Sequence, residues 1–196
     1  MFISIFFSTM FCTTIKPFIV LWVGNDYILS NITVFLFTSV LFSQCISTTI
    51  KSLISATGKF KETKRIVVLA SLSNLILSII LVRKYQIAGV LFATAISEIF
   101  ITMPLNAKYI YNNVLNVSQL SYYLKLLYSI MSTIILIILN KIIIKVFSIT
   151  FANYINWALS AIILSIIDLI IIFTTMYILF KPFKNLIARF RRLKRW

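Results

Sequence analysis

Four carboxylates, Asp26, Glu62, Glu98 and Asp168, stand against nineteen lysines and arginines in this 196-residue chain, and there is no histidine. General acid–base catalysis needs a donor and acceptor held near one reacting group, and metal sites draw on His, Cys and clustered acids. Neither set is present. The two cysteines, Cys12 and Cys45, fall inside apolar runs, where a thiol behaves as a small apolar group. We therefore expect no disulfide, metal or cofactor, and no enzyme. Glu98 and Asp168 matter for another reason, because both lie near the middle of long apolar runs. Lys16 lies inside another, just ahead of Pro17. A charge at the centre of a membrane helix costs about 2.5–3.5 kcal/mol on insertion scales, so these three side chains should face protein or water. Gln44, Asn74 and Asn140 are weaker candidates, since buried amides commonly join helices.

Six apolar runs must position these residues: Ile3–Val23, Leu29–Ile50, Ile66–Val82, Ile87–Leu105, Leu126–Phe147 and Ile155–Phe180. Each is close to the roughly 17–25 residues that cross a hydrocarbon core of about 30 Å. With 61% hydrophobic and 12% charged residues, the chain cannot hide its apolar surface in a water-soluble core. The predicted class is an all-α polytopic membrane protein.

The net charge of +15 follows the connections. Lys51, Lys59, Lys61, Lys64 and Arg65 lie in the second, Lys108 and Lys125 in the fourth, and seven basic residues in the tail. The opposite side has only Arg83, Lys84, Lys141 and Lys145. The positive-inside rule places the heavier side, and both chain ends, in the cytoplasm, with the protein in the cytoplasmic (inner) cell membrane. Charge distributed this way is an orientation signal, so nucleic acid is excluded as a partner.

Gly24–Tyr27 and Arg83–Gln86 read as short outer turns, and Ala56–Arg65 as a tight inner hairpin with Gly58 at its break. The stretch from Lys108 to Tyr123, with Tyr109, Tyr111, Tyr122 and Tyr123, suits the headgroup level. This divides the chain into helices one to four (1–105), an interfacial connection (106–125), a final helix pair (126–181) and a tail (182–196). In the tail, Phe183, Leu186, Ile187, Phe190 and Leu193 alternate at helical spacing with Lys184, Arg189, Arg191, Arg192 and Arg195. A basic amphipathic helix of this kind anchors to anionic lipid with about 1 kcal/mol per basic residue. The first residues lack a basic cluster and a small-residue cleavage site, so they read as a membrane helix without its cytoplasmic flank rather than a signal peptide.

Two roles are open for the deep charges. Asp168 either neutralises Lys141 or Lys145 on the neighbouring helix or lines a polar path. Glu98 has no partner within its own helix and suits such a path, while Lys16 either faces it or snorkels outward.

Three stretches carry a family resemblance. Lys16–Tyr27 (KPFIVLWVGNDY) resembles the helix end and outer turn of polysaccharide flippases, and Ser55–Arg65 (SATGKFKETKR) is similar to their cytoplasmic loop. Ser71–Ser97 (SLSNLILSIILVRKYQIAGVLFATAIS) resembles their Asn-bearing helix, short turn and following Gly-Val helix with its Ala-Thr pair. The family is the multidrug/oligosaccharidyl-lipid/polysaccharide exporter superfamily, in particular Wzx-type flippases. The resemblance implies the carboxy-terminal lobe of a MATE-like fold that moves a polyprenyl-diphosphate-linked oligosaccharide for O antigen or capsule by alternating access. It implies Lys16 as the group meeting diphosphate or an acidic sugar. Glu98 and Asp168 would line or balance the cavity or couple an ion. The chain departs from the family in having about half its spans, so a first lobe is the implied partner. Sister readings are a lipid II flippase or a drug and cation antiporter. A reading of another class is a non-transporting accessory protein that binds glycan-assembly enzymes.

Overall fold

Three helix ends in this chain are fixed by identifiable capping residues, Ser30, Gly58 and Asn153. A computed structural model describes residues 1–180 and Lys184. Ser30 accepts a hydrogen bond from the Thr33 amide at 3.1 Å and starts α2, Asn31–Thr57. Asn153 accepts from the Asn156 amide at 2.8 Å and starts α6, Tyr154–Leu179. Gly58, at φ 66°, closes α2 in the left-handed conformation that glycine adopts without steric penalty. The other elements are α1 (Phe2–Trp22), α3 (Phe60–Ile96), α4 (Met103–Asn113) and α5 (Leu120–Val146). A 3-10 turn occupies Asn25–Tyr27, and a π-helical segment, Ser97–Thr102, joins α3 to α4. Replacing Ser30 or Asn153 by alanine is expected to cost about 1 kcal/mol each, read as a lowered midpoint of thermal unfolding in detergent.

α3 is not straight. Gln86 breaks it with φ 48° and ψ −129°, and the chain doubles back there. Asn74 Nδ2 donates to Thr94 Oγ1 at 3.4 Å, although twenty residues of continuous helix would separate them by about 30 Å. Gly89 lies so close to the first arm that a Cβ there would stand 2.5 Å from the Leu81 carbonyl oxygen. The turn falls where Arg83–Gln86 was expected. Among the described residues five helical stretches are long and apolar enough to cross a membrane, and the longest, Phe60–Asn113, contains this fold-back.

The sequence-based boundaries need correction at the basic end. α2 continues to Thr57 and α3 begins at Phe60, so only Gly58 and Lys59 separate the two helices. The expected connection 106–125 is itself largely helical, because α4 runs to Asn113 and α5 begins at Leu120. Hydropathy falls where basic and tyrosine side chains begin, but the backbone ladder continues until a residue such as Gly58 ends it. The expected amphipathic tail lies outside the described residues, Lys184 excepted.

α1 is the hub. It packs against α2, α5 and α6, while α2 also packs on α3 and α4. The buried face of α1 consists of Ser4, Ile5, Ser8, Thr9 and Thr13. Small side chains at this spacing let neighbouring backbones approach closely. α6 buries every fourth residue, Ser160, Leu164, Asp168, Ile172 and Met176, a single stripe turned towards α1 and α5. α5 and α6 themselves touch little, so α1 fills the wedge between them. Met1 and Phe180 both pack on the cluster of Ile5, Leu136, Ile172 and Met176, which puts them at the same end of the bundle.

The distribution of polarity is inverted relative to a water-soluble protein. Ser4, Ser8, Thr9, Ser129, Asn140 and Asp168 are fully buried, whereas Leu75, Ile79, Ile80, Ile135, Ile138 and Ile163 are exposed. In water such a surface would aggregate; in lipid it is the face the solvent prefers. Together with the long apolar helices, this identifies a multi-pass membrane protein.

Candidate functional site

Lys16 lies nearly two turns before the end of α1 at Trp22. Its Nζ donates to Asn31 Oδ1 at 2.6 Å, tying α1 to the first turn of α2. Its neighbour Pro17 has no amide hydrogen, so the Thr13 carbonyl loses its usual helical donor. α6 braces this segment: Trp157 Nε1 donates to the Thr14 carbonyl at 3.1 Å and Tyr154 donates to the Leu21 carbonyl at 2.8 Å. The Phe18 and Trp157 rings sit 5.0 Å apart. Since Asn31 is neutral, it leaves the Lys16 charge uncompensated.

Glu98 belongs to the π segment, and its carbonyl accepts from the Met103 amide five residues on. Pro104 explains the widening, since it supplies no amide to the Phe100 carbonyl and its ring would clash with a regular preceding turn. Thr102 Oγ1 donates to the Ser97 carbonyl at 3.2 Å and supports the same wide turn. The Glu98 side chain is ion-paired with Lys51 of α2 at 2.9 Å. Lys51, assigned from sequence to a loop, is thus helical and reaches back along the bundle. Glu98 does have a partner, on another helix and 47 positions upstream.

Asp168 is fully buried. Asn140 Nδ2 on α5 donates to its Oδ2 at 2.9 Å. Neither Lys141 nor Lys145 neutralises it, because both point outward and are exposed. Thr9 of α1 stands beside the carboxyl, but its single hydroxyl proton is directed at the Ile5 carbonyl, 2.6 Å away. Asp168 Oδ1, Asn140 Oδ1 and Ser8 Oγ are buried without a hydrogen-bond partner.

The three charges named from sequence are therefore not one cluster. Each has a different partner, Asn31, Lys51 or Asn140. Asn140 and Asn74 act as the interhelical joints expected of them, whereas Gln44 is exposed. Among the described residues no group of three or more Cys, Asp or Glu side chains could hold a metal ion. Both cysteines are free thiols.

Sequence reasoning missed a cavity of about 290 Å³ between α1, α2, the π segment and α5. Its walls include Cys12, Phe35, Phe42, Ile99, Tyr122 and Ile137. The hydroxyls of two wall residues are already occupied, Thr38 by the Val34 carbonyl and Thr133 by the Ser129 carbonyl. Such a wall is largely apolar and suits hydrocarbon, with Tyr122, whose buried hydroxyl has no partner among the described residues, as the exception. None of Lys16, Glu98 and Asp168 lines it. Its residues come from four separate stretches, each of which reads as ordinary membrane helix, so no local signal marks the cavity. No family model, curated protein or solved structure matches this chain.

Proposed function

We propose that this bundle is one lobe of a cell-membrane flippase that carries a polyprenyl-diphosphate-linked oligosaccharide for surface polysaccharide assembly. The observation that carries the reading is the apolar cavity inside a membrane bundle. Ligand pockets commonly measure roughly 300–1,000 Å³, and this one is at the low end, with a volume of about 290 Å³. It suits a segment of an isoprenoid chain rather than a whole lipid. The headgroup must then be met elsewhere, and Lys16 offers a positive charge that its amide partner leaves available to a diphosphate. Glu98 holds Lys51 and keeps that second cation from being an uncompensated charge. Alternating access needs a second bundle to move against, so a second lobe is the partner this function requires.

Cys12 provides the test, because its thiol is on the cavity wall. In a Cys45→Ser variant in nanodiscs, an apolar maleimide reads Cys12 alone. Polyprenyl-diphosphate oligosaccharide should slow that reaction severalfold, while ordinary phospholipid at equal concentration should not. Equal rates with both would overturn the proposal, as would normal surface-polymer staining of cells lacking the chain.

A further inference from the structure

Buried carboxyl groups in a membrane must be neutralised, and among the described residues no salt bridge reaches Asp168. The elements packed against it are α1 and α5. On α1, which meets Asp168 at Thr9, Lys16 lies seven residues on and is bonded to Asn31, and the Met1 ammonium lies eight residues back, about 10 and 12 Å along the helix. On α5, Lys141 and Lys145 are exposed, and Lys125 lies fifteen residues before Asn140, about 22 Å along the helix. Asp168 is also the only acidic residue on α6. An ionised carboxylate here would stand uncompensated among Leu136, Leu164 and Ile172, all fully or nearly fully buried.

The hydrogen-bond inventory identifies what fills the gap. The Asn140 amide group donates to Asp168 Oδ2 at 2.9 Å, which fixes which way the carboxamide is turned. Two acceptors are left over, Asn140 Oδ1 and Asp168 Oδ1, both buried and partnerless. A single proton on Asp168 Oδ1, donated to Asn140 Oδ1, satisfies both at once. Paired in this way, the carboxyl and the carboxamide would form a ring with two antiparallel hydrogen bonds. A metal cation would ask more of the site. Sodium or a similar ion needs several oxygens, and beyond the carboxyl and Asn140 Oδ1 the described residues offer Ser8 Oγ and the lone pairs of Thr9 Oγ1, whereas a proton needs a single acceptor.

We propose that Asp168 and Asn140 form a proton-binding site whose loaded state locks α5 and α6 around α1. Proton release leaves a charge that α1, α5 and α6 cannot solvate, so it requires water to enter and the wedge to open. The site is thus a proton-operated latch, independent of what the cavity carries.

The chain has only two aspartates, and Asp26 lies exposed in the 3-10 turn. Aspartate-selective carboxyl carbon-13 labelling of the full chain in nanodiscs therefore yields two resonances, one from a water-exposed group and one from Asp168. At neutral pH the Asp168 signal should have the chemical shift of a neutral acid, should be unmoved by exchanging sodium for a bulky organic cation, and should vanish in Asp168→Asn. That variant can rebuild the ring as an amide–amide pair, so it should unfold at the wild-type temperature, whereas Asp168→Ala should unfold earlier. A carboxylate shift at neutral pH, a sodium-dependent shift, or an Asp168→Asn variant as unstable as Asp168→Ala would each overturn the proposal.

Discussion

Replacing Gly89 by alanine is expected to open the α3 hairpin and cost about 1–3 kcal/mol, the range for forcing extra volume into a packed interface, with valine costing more. The added Cβ would meet the Leu81 carbonyl oxygen at 2.5 Å, the carbonyl carbon at 2.7 Å and the Leu81 Cβ at 3.0 Å. Most of these atoms belong to backbone, so no rotamer change relieves the clash. The arm carrying Val90, Ala93 and Thr94 must move away from the arm carrying Asn74 and Ser78. The Asn74–Thr94 bond is already long at 3.4 Å and would be the first to break. Thermal unfolding in detergent measures the cost. A disulfide between cysteines introduced at Asn74 and Thr94, whose side chains meet across the hairpin, in an otherwise Cys-free background, reports the geometry. It should form in the parent and fail in Gly89→Val. Unchanged stability of Gly89→Val would show that the two arms do not pack in this register.

The second large effect lies at Asn140. Asn140→Leu removes the carboxamide that donates to Asp168 and should destabilise the bundle by about 1–3 kcal/mol, the cost of orphaning a buried neutral polar group. If Asp168 were ionised, losing this donor would resemble breaking a buried ion pair, at about 3–5 kcal/mol. The magnitude therefore separates the two charge states. The double variant Asn140→Leu/Asp168→Leu should recover most of the loss, because apolar replacement of both partners can be nearly neutral. Equal losses in the single and double variants would mean that Asn140 acts through packing against α1 instead of through Asp168.

Some of this architecture was legible in the residues. Length and apolarity marked the membrane runs, Arg83–Gln86 marked the fold-back, and Gly58 marked the tight hairpin. The amides Asn74 and Asn140 were recognisable as joints because a polar group at membrane depth must find a partner. What stayed hidden depends on which faces meet. Ser4, Ser8, Thr9 and Thr13 are nearly neutral on a hydropathy scale, yet they make α1 the hub by being small. The Glu98–Lys51 pair needs the folded register of α2 against the π segment, and hydropathy assigned Lys51 to a loop before the helix had ended. Asp168 stood out by its depth, but charge counting pointed to the lysines next to Asn140, whereas the side chain that bonds it is Asn140 itself.

The wedge position of α1 has a cost during synthesis. Helices emerge from the ribosome in chain order, at about 5–20 residues per second. α2 follows α1 directly and packs on it at once, but α5 and α6, which also pack on α1, are made about a hundred residues later. Until then the part of α1 that they cover lies against lipid or against the insertion machinery, and the hydroxyls of Thr9, Thr13 and Thr14 find acceptors only within their own helix, at the Ile5, Thr9 and Met10 carbonyls. These local bonds make the waiting tolerable. The assembly is nonetheless one of long sequence separation, which slows folding, and chains that stall before α6 would present α1 half-covered to membrane proteases.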